Sequence, residues 1–341
     1  MAENVNNLFH WHSANPVHET FYRSSTNKRW AQAYDPISRV HVHTHVDADG
    51  SVQADFESCF LPELADDRLR MAAFAFPPNY RRWRLDTEGD IVNWFNTEVS
   101  NVVLPAWSAC PALLQTAEAK PLSAATISQC ADTTFSVKPA NTACAVAIGE
   151  MKRNLIEPDD WCTGSIEKSS QKTLSRELRG YADKYECPQL FVFDGATLVI
   201  LQFRARNKEE VKHPGCEVDC WVIPRNNPGG CSLRYALHRL LVQGFRRCQG
   251  WTGSQQQTVG GVRMAYREFY TGRPVWDLGG QLRLEHPTHT RVLDADSGAF
   301  YMSRGAERLW ETAQFWAPEM AQRQLEVRGG DATCERMATD S

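Results

Sequence analysis

Residues 143–152 read ACAVAIGEMK, a run of small and branched apolar residues that ends in Glu150-Met151-Lys152. The apolar run predicts a buried strand. Residues two apart in a strand lie on the same face, so Glu150 and Lys152 should stand side by side at its end. Burying either charge is costly unless it serves a partner or a metal ion. The pair therefore points to chemistry rather than to packing.

The flanking sequence predicts a hairpin partner and a helix for this strand. A strand is expected over residues 133–137 with Asp132 at its start, and a polar turn at 138–142 would join the two strands. Residues 168–185 place leucines and tyrosines on one helical stripe and Gln171 with other polar residues on another. This helix should pack one side and offer a polar side.

Further elements on both sides complete a mixed α/β pattern. Residues 90–107 carry apolar residues at helical spacing up to a proline. Two β-rich runs, 190–193 and 197–203, surround an Asp-Gly pair, which is a strong hairpin signal. Between residues 107 and 132 we find no clear strand pattern.

The terminal regions are expected to be extensions of this centre. Residues 40–56 alternate and turn at an Asp-Gly pair, which predicts a hairpin. Residues 218–223 predict a strand, 233–248 a helix, and 304–322 a further helix. We expect four segments: a β-rich amino-terminal extension (1–88), a central core (89–205), a carboxyl-terminal α+β extension packed on the core (206–325) and a disordered tail (326–341).

The order of the central elements resembles the αβββαβ core of the restriction-endonuclease-like, or PD-(D/E)XK, superfamily of nucleases. In that superfamily an acidic residue opens the second core strand and a Glu-x-Lys ends the third, while the flanking helices often add a Glu and a Gln or Lys. The resemblance covers residues 90–205, about a third of the chain, with Ala in place of the Pro before the acidic residue. The matching positions are Asp132, Glu150, Lys152, Glu98 and Gln171.

The resemblance implies a metal-dependent phosphodiesterase. Mg²⁺, or Mn²⁺, would be held by Asp132, Glu150 and the backbone carbonyl of Met151, since such ions prefer carboxylate oxygens and water. Lys152 would orient the attacking water or stabilise negative charge on the phosphate. The two helix residues would have supporting roles: a second metal site or a positioned water for Glu98, and the substrate backbone for Gln171.

The Glu-x-Lys tripeptide is a short signal, because the chain contains it three times. The copy at 118–120 precedes a proline and has no strand pattern, and the copy at 210–212 lies in a solvated charge run. Only the copy at 150–152 ends an apolar strand, with an acidic residue upstream and an amphipathic helix downstream. A surface ion pair at a strand end is the alternative interpretation.

Net charge leaves nucleic-acid binding to local patches. The charge of −4 and the isoelectric point near 6.2 provide no overall attraction to phosphate. Two arginine-rich patches suit either phosphate contacts or an ordinary solvated face. They are Tyr80 to Arg84 with arginines at 81, 82 and 84, and the set Arg234, Arg239, Arg246 and Arg247. From the resemblance we expect a nucleic-acid partner, DNA before RNA, and leave open a homo-oligomer or a protein partner.

Two other groups of residues have the character of metal ligands. Three histidines alternate on a predicted strand, which suits a zinc ion or, more plainly, an exposed sheet face; they are His41, His43 and His45, with Asp47 in register. Another set would make a zinc clip, but without a second cysteine pair we interpret its thiols as core residues; it comprises His213, Cys216, Cys220 and Cys231.

Cysteine usage and missing motifs limit the function classes. Eleven cysteines, an odd number with no Cys-x-x-Cys pair, indicate reduced thiols and an intracellular protein, nuclear or cytoplasmic. We see no signal peptide and no apolar window long enough for a membrane span. Motifs of serine hydrolases, P-loop enzymes, dinucleotide-binding enzymes and zincins are absent. We therefore expect a metal-dependent nuclease or, alternatively, an inactive nuclease-like module that acts through nucleic-acid or protein contacts.

Overall fold

The computed structural model describes residues 3–108, 113–119, 130–138, 143–294 and 296–313. Three expectations fall outside these residues. They are most of the turn at 138–142, the carboxyl-terminal part of the helix at 304–322, and the tail at 326–341.

The described residues form seven α-helical segments. In chain order they are α1 (Val5–His10), α2 (Ala65–Met71), α3 (Glu88–Phe95), α4 (Asn101–Val103), α5 (Pro158–Cys162), α6 (Ser169–Lys184) and α7 (Leu233–Trp251). A π-helical segment, Asn96–Ser100, joins α3 to α4, and 3₁₀ turns cover Arg29–Ala33, Leu104–Trp107 and Glu209–Lys212.

The described residues also form twenty strands. In chain order they are β1 (Glu3–Asn4), β2 (Val17–Glu19), β3 (Val40–Val42), β4 (Thr44–Val46), β5 (Val52–Ala54), β6 (Phe74–Ala75), β7 (Trp83–Leu85), β8 (Leu114–Ala119), β9 (Ala131–Val137), β10 (Cys144–Met151), β11 (Gln189–Phe193), β12 (Thr197–Phe203), β13 (Val218–Pro224), β14 (Thr258–Val259), β15 (Val262–Arg267), β16 (Pro274–Leu278), β17 (Gln281–Arg283), β18 (Thr290–Leu293), β19 (Phe300–Arg304) and β20 (Glu307–Trp310).

A seven-stranded mixed sheet forms the centre, in the order β3-β13-β12-β11-β10-β9-β8. The strands β8, β9 and β10 are an antiparallel meander, and β10 then pairs parallel with β11 across the α6 connection. Next, β11, β12 and β13 are antiparallel, and β3 adds to β13 in parallel. The strands expected at 133–137, 143–152, 190–193, 197–203 and 218–223 are confirmed, and the chain is a mixed α/β protein.

The edge strand β8 is the element that the sequence did not predict. Its residues, LQTAEA, are mostly exposed, and even Leu114 is 46% exposed. An edge strand that buries so little apolar surface leaves no hydrophobic period to detect. The missing strand between residues 107 and 132 is therefore supplied by Leu114–Ala119.

Helices cover both faces of the sheet. One core contains the α3–α4 region and α7 and packs on side chains such as Phe191 and Phe193. The other core contains the apolar stripe of α6 and packs on side chains such as Leu190 and Val192. Within β10 the alternation changes at a β-bulge between Ala145 and Ala147, so these two alanines belong to opposite cores.

The helix predicted over 168–185 is confirmed as Ser169–Lys184, and two other predicted helices are confirmed with longer bounds. The helix expected from residue 90 begins at Glu88, because Thr87 and Asp90 form a capping box. It continues through the π segment to Trp107, since Pro105 falls at the start of the 3₁₀ turn, where its missing N–H is not needed. The helix expected at 233–248 extends to Trp251.

The terminal regions depart from expectation in two places. The hairpin predicted within 40–56 is confirmed only for β4 and β5, because Val40–Val42 joins the central sheet instead. The helix expected over 304–322 is wrong in its described part, where β19 and β20 form a hairpin. Gly305 adopts a positive φ of 60° at its turn, which a glycine accommodates without strain.

Candidate active site

Strands β9 and β10 bring Asp132 and Glu150 together. Gly149 pairs with Thr133, and continuing this antiparallel register places Glu150 opposite Asp132 on the same face of the sheet. The backbone N–H of Met151 donates a 2.6 Å hydrogen bond to Asp132 Oδ2. One carboxylate therefore stands on each of two adjacent strands at the same sheet end.

Lys152 lies beside these carboxylates, two residues beyond Glu150. Its ammonium donates a hydrogen bond to Glu150 Oε1 and lies 3.3 Å from Glu177 Oε1 of α6. The side chains of Lys152, Glu150 and Glu177 are buried. Asp132, Glu150 and Lys152 thus converge, and we call them together with Lys28 and Glu177 the acidic cluster.

Lys28 enters the acidic cluster from the amino-terminal region. Its ammonium lies 3.0 Å from Glu150 Oε1 and 2.7 Å from Glu177 Oε1, and it donates a 2.7 Å hydrogen bond to the hydroxyl of Tyr181. The 3₁₀ turn that follows packs Trp30 against the ring of Tyr181 and against Gly180. Because Lys28 keeps 36% of its side-chain exposure, it forms the solvent side of the acidic cluster.

Burial and charge shift the pKa values of the acidic cluster in opposite directions. Burial, reinforced by Asp132 and Glu177, raises the pKa of Glu150 to about 8 despite the nearby Lys152. Burial would also raise the pKa of Glu177, but Lys152 and Lys28 outweigh it and hold that pKa at about 2. Burial disfavours charged Lys152, yet the two glutamates raise its pKa above the ordinary value. Burial therefore favours the neutral form of Glu150, although two ammonium groups lie beside it.

The acidic cluster fits a hard divalent cation. Glu150 Oε2 is buried and has no hydrogen-bond partner among the described residues, although buried carboxylate oxygens normally have one. Asp132 supplies a second carboxylate, whose pKa burial raises. Glu88, at the start of α3, is near enough for its charge to act on Asp132 and Lys152. Carboxylate oxygens with free lone pairs are the ligand type that Mg²⁺ and Mn²⁺ prefer.

Glu98 lies in a different network from the one expected. Its carboxylate accepts hydrogen bonds from Ser13 (2.6 Å), Asn15 (2.7 Å) and Trp83 (2.8 Å). These contacts fasten the amino-terminal segment to the π segment. The acidic residue of this helix that acts on the acidic cluster is Glu88, at the helix start.

Gln171 also lies apart from the acidic cluster. Its fully buried amide accepts a 2.8 Å hydrogen bond from Trp161 Nε1 and donates a 2.9 Å bond to the carbonyl of Leu155. It thereby fixes the loop after β10 to α6. Glu177 is the α6 side chain in the acidic cluster, and its spacing from Leu174 and Tyr181 on the buried stripe is the signal that could have identified it.

The three alternating histidines do not share one site. His41 lies 3.3 Å from Glu217, His43 2.8 Å from Asp219, and His45 3.4 Å from Asp47. They separate because β3 pairs with β13 while β4 turns into its own hairpin. Around one of them three potential ligand atoms come together, since the side-chain N, S or O atoms of His43, Cys59 and Asp219 lie within 4.8 Å of one another.

The cysteines considered for a zinc clip are core thiols, as interpreted from the sequence. Cys216, Cys220 and Cys231 are all buried, and burial raises the pKa of each thiol. The backbone of His213 instead donates to the carbonyl of Glu210.

The two arginine patches differ completely in exposure. Tyr80 and the arginines 81, 82 and 84 are exposed. The four arginines of α7 are buried and hold other elements to the helix, so the expectation of a solvated or phosphate-contacting face is wrong there. Their partners include Asp66 and Asp67 for Arg246, Gln189 for Arg247, Glu57 for Arg239 and the Glu98 carbonyl for Arg234.

Comparisons with known proteins found no matching protein-family model, no matching curated protein and no matching solved structure. Among the described residues no helix has both the length and the apolar character required to traverse a bilayer.

Proposed function

We propose that this chain is a metal-dependent nuclease that hydrolyses phosphodiester bonds in DNA or, second, RNA. The observation that carries the proposal is the pair Asp132 and Glu150 on adjacent strands beside Lys152, with one Glu150 oxygen buried and unpartnered. The element order α3, β8, β9, β10, α6, β11 supports assignment to a restriction-endonuclease-like core.

Each residue of the site has a role that its geometry supports. Asp132, Glu150 and the Met151 carbonyl would hold Mg²⁺ or Mn²⁺, which supplies charge neutralisation at the phosphate and acidifies a bound water. Lys152, fixed by Glu150 and Glu177, positions a positive charge next to the reacting phosphate. Glu88 adds negative charge that acts on Asp132 and Lys152.

A surface next to the acidic cluster suits the nucleic-acid backbone. Arg81, Arg82 and Arg84 are exposed within four residues, and Tyr80 is 74% exposed, so cations alternate with a stacking surface. The strand that carries Arg84 ends at Leu85, whose carbonyl accepts a 2.8 Å hydrogen bond from Arg153, the neighbour of Lys152. The basic surface is therefore tied directly to the end of β10.

This surface makes a salt-dependence prediction. For single strands the slope of log K against log salt is about −0.7 for each phosphate contact. Replacing Arg81, Arg82 and Arg84 with Ala should therefore make the slope shallower by about 2, measured by fluorescence anisotropy with labelled oligonucleotides in EDTA. A control with the same change of charge replaces three exposed arginines of the carboxyl-terminal sheets, Arg263, Arg283 and Arg304. Equal slopes for the two triple variants would contradict the proposal that this surface binds the nucleic-acid backbone.

The second candidate is an inactive nuclease-like module, and Lys28 favours it. Its ammonium touches the two glutamates of the acidic cluster, so it neutralises the charge that a metal ion would neutralise. In such a module the acidic cluster would serve stability while the basic surface bound nucleic acid. Replacing Lys28 with Met separates the candidates. If Lys28 blocks the metal site, as in the inactive module, the variant gains Mn²⁺ binding. A nuclease that already binds Mn²⁺ gains none.

The decisive experiment measures cleavage and metal binding separately. Labelled single- and double-stranded DNA and RNA are incubated with Mg²⁺ or Mn²⁺, and Lys152→Ala should lower the rate by about 10²-fold or more. Lys212→Ala is a matched control, since Lys212 ends another Glu-x-Lys but is exposed and pairs with Asp183. Calorimetric titration with Mn²⁺ should show binding that Glu150→Gln abolishes. Unchanged cleavage in Lys152→Ala, or unchanged Mn²⁺ binding in Glu150→Gln, would refute the proposal.

The state of the cysteines is the basis for proposing where in the cell the protein is located. The nine described cysteines are all free, which supports an intracellular, reducing environment. Immunofluorescence of the tagged full chain tests the location.

A further inference from the structure

A second cluster of reactive groups lies at the far edge of the central sheet. Cys59 follows β5 and is half-buried, and its sulfur lies 3.1 Å from His43 Nε2 and 3.5 Å from Arg204 Nη2. The hydroxyl of Ser58 lies 3.4 Å from the same sulfur. Two cationic side chains and one hydroxyl are thus directed at the sulfur of a half-buried residue.

Asp219 positions both cationic groups. Its buried carboxylate lies 2.8 Å from His43 Nε2 and 2.6 Å from Arg204 Nη2. The hydrogen bonds with Asp219 and then Cys59 raise the pKa of His43 to about 9, so the imidazole is protonated at neutral pH. Burial alone would raise the pKa of Asp219, but hydrogen bonds from His43 and Arg204 outweigh it and hold that pKa at about 2. Asp219 therefore keeps two positive charges next to the sulfur.

Arg204 argues against a metal ion among these residues. Its Nε–H donates to both oxygens of Asp219, at 2.9 and 3.0 Å, and Gln202 donates to Oδ2 at 3.2 Å. The carboxylate already has its donors, and a divalent ion between Asp219 and Cys59 would face the guanidinium at short range. The surroundings match those of a reactive cysteine, which needs nearby positive charge and partial exposure.

We propose that Cys59 is a modification site that reacts with peroxides, with His43 and Arg204 stabilising the anionic sulfur. The thiolate attacks one peroxide oxygen, so that an S–O bond forms while the O–O bond breaks. Sulfur is oxidised to the sulfenic acid, the peroxide is reduced, and the hydroxide that leaves takes a proton from the His43 imidazolium. The products are Cys59 sulfenic acid, water and neutral His43, and Asp219 retains the imidazole in place.

Cys162 provides a matched control in the same chain. Cys162 is exposed, whereas Cys59 is half-buried. Partial burial of the Cys162 sulfur and the charge of Asp159 raise the pKa of the Cys162 thiol. Exposure alone would make Cys162 react faster, whereas the cationic surroundings make Cys59 react faster. The buried thiol of Cys220 reports unfolding, because it can react only when the sheet opens.

The experiment treats the full chain with hydrogen peroxide, traps sulfenic acid with dimedone and measures each cysteine by mass spectrometry. Cys59 should be trapped on the order of tenfold faster than Cys162, and His43→Gln and Arg204→Gln should each slow Cys59 several-fold while Cys162 is unchanged and Cys220 stays unlabelled. Faster trapping at Cys162, or no slowing in either folded variant, overturns the proposal. So does EDTA treatment that speeds trapping at Cys59, since this would indicate a bound metal ion.

Discussion

Replacing Arg246 with Met should destabilise the protein by about 3–5 kcal/mol. The fully buried guanidinium of Arg246 on α7 bonds to Asp66 and Asp67 at the start of α2, with 2.7 Å to Asp67 Oδ2. Arg70 also bonds to both carboxylates, so the group contains two buried anions and two buried cations. Removing one cation leaves an uncompensated buried carboxylate, for which the expected loss is about 3–5 kcal/mol.

The assay is urea denaturation followed by tryptophan fluorescence, with the unfolding free energy taken from the midpoint and the slope. Arg84→Met is the matched control, because Arg84 also pairs with an aspartate but is 69% exposed, and it should change stability by less than about 0.5 kcal/mol. Adding Asp66→Asn to Arg246→Met restores charge balance and should recover about 1 kcal/mol or more. A loss below about 1 kcal/mol at unchanged slope, or a further loss in the double variant, would refute the reasoning.

Three further predictions concern packing, a buried amide and pH. Gly244→Ala should cost about 1–3 kcal/mol of stability, because the new Cβ would lie 2.0 Å from the Val146 carbonyl oxygen. Gly89→Ala is the control: its Cβ would have no neighbour nearer than 3.6 Å, and it should gain about 0.4–1 kcal/mol. Thermal unfolding measures both variants. Gln171→Ala should cost about 1–3 kcal/mol in urea yet leave Mn²⁺ titration unchanged, and lost Mn²⁺ binding in the folded variant would return Gln171 to the site. Burial lowers the pKa of His238 from 6.5 to about 3, so the neutral imidazole contributes its full stability above pH 6.5. That stability is lost as the pH falls toward 3, at up to about 1.4 kcal/mol per pH unit. His238→Phe should flatten the pH dependence of the unfolding free energy in urea across that window, and an equally steep profile would contradict this.

The central strands and long helices could be predicted from the sequence because their apolar patterns are continuous. Runs such as 190–193 and 197–203 are buried along their whole length, and an Asp-Gly pair marks the turn between them. The edge strand at 114–119 and the strand at 307–310 lack such a signal, since mostly exposed residues satisfy a strand as well as a loop.

The candidate site was predictable only along the hairpin of β9 and β10. Glu150 and Lys152 follow from strand geometry alone, and Asp132 from the hairpin. Lys28 comes from a segment with no regular structure, and its arrival at Glu150 depends on tertiary packing over more than a hundred residues. The expectation for Glu98 fails and Glu88 goes unpredicted, because helical spacing does not reveal which end of a helix meets the sheet edge.

Burial of the α7 arginines shows a second limit of sequence reasoning. Four basic residues in a stretch without acids suggest a charged surface, yet their partners come from distant parts of the chain such as Asp66 and Gln189. Long-range pairing of this kind is invisible in a local window.

The irregularity in β10 decides which layer of helices the catalytic candidates face. Side chains of a regular strand alternate, so a strand of the same length without the bulge between Ala145 and Ala147 would turn Glu150 and Lys152 away from α6 and toward the aromatic layer under α3 and α7. There they would meet Phe191 and Phe193 rather than Glu177 and Lys28. The single extra residue at the bulge thus sets which helix layer the pocket faces, and an insertion or deletion between Ala147 and Glu150 should be tolerated far less than a substitution there.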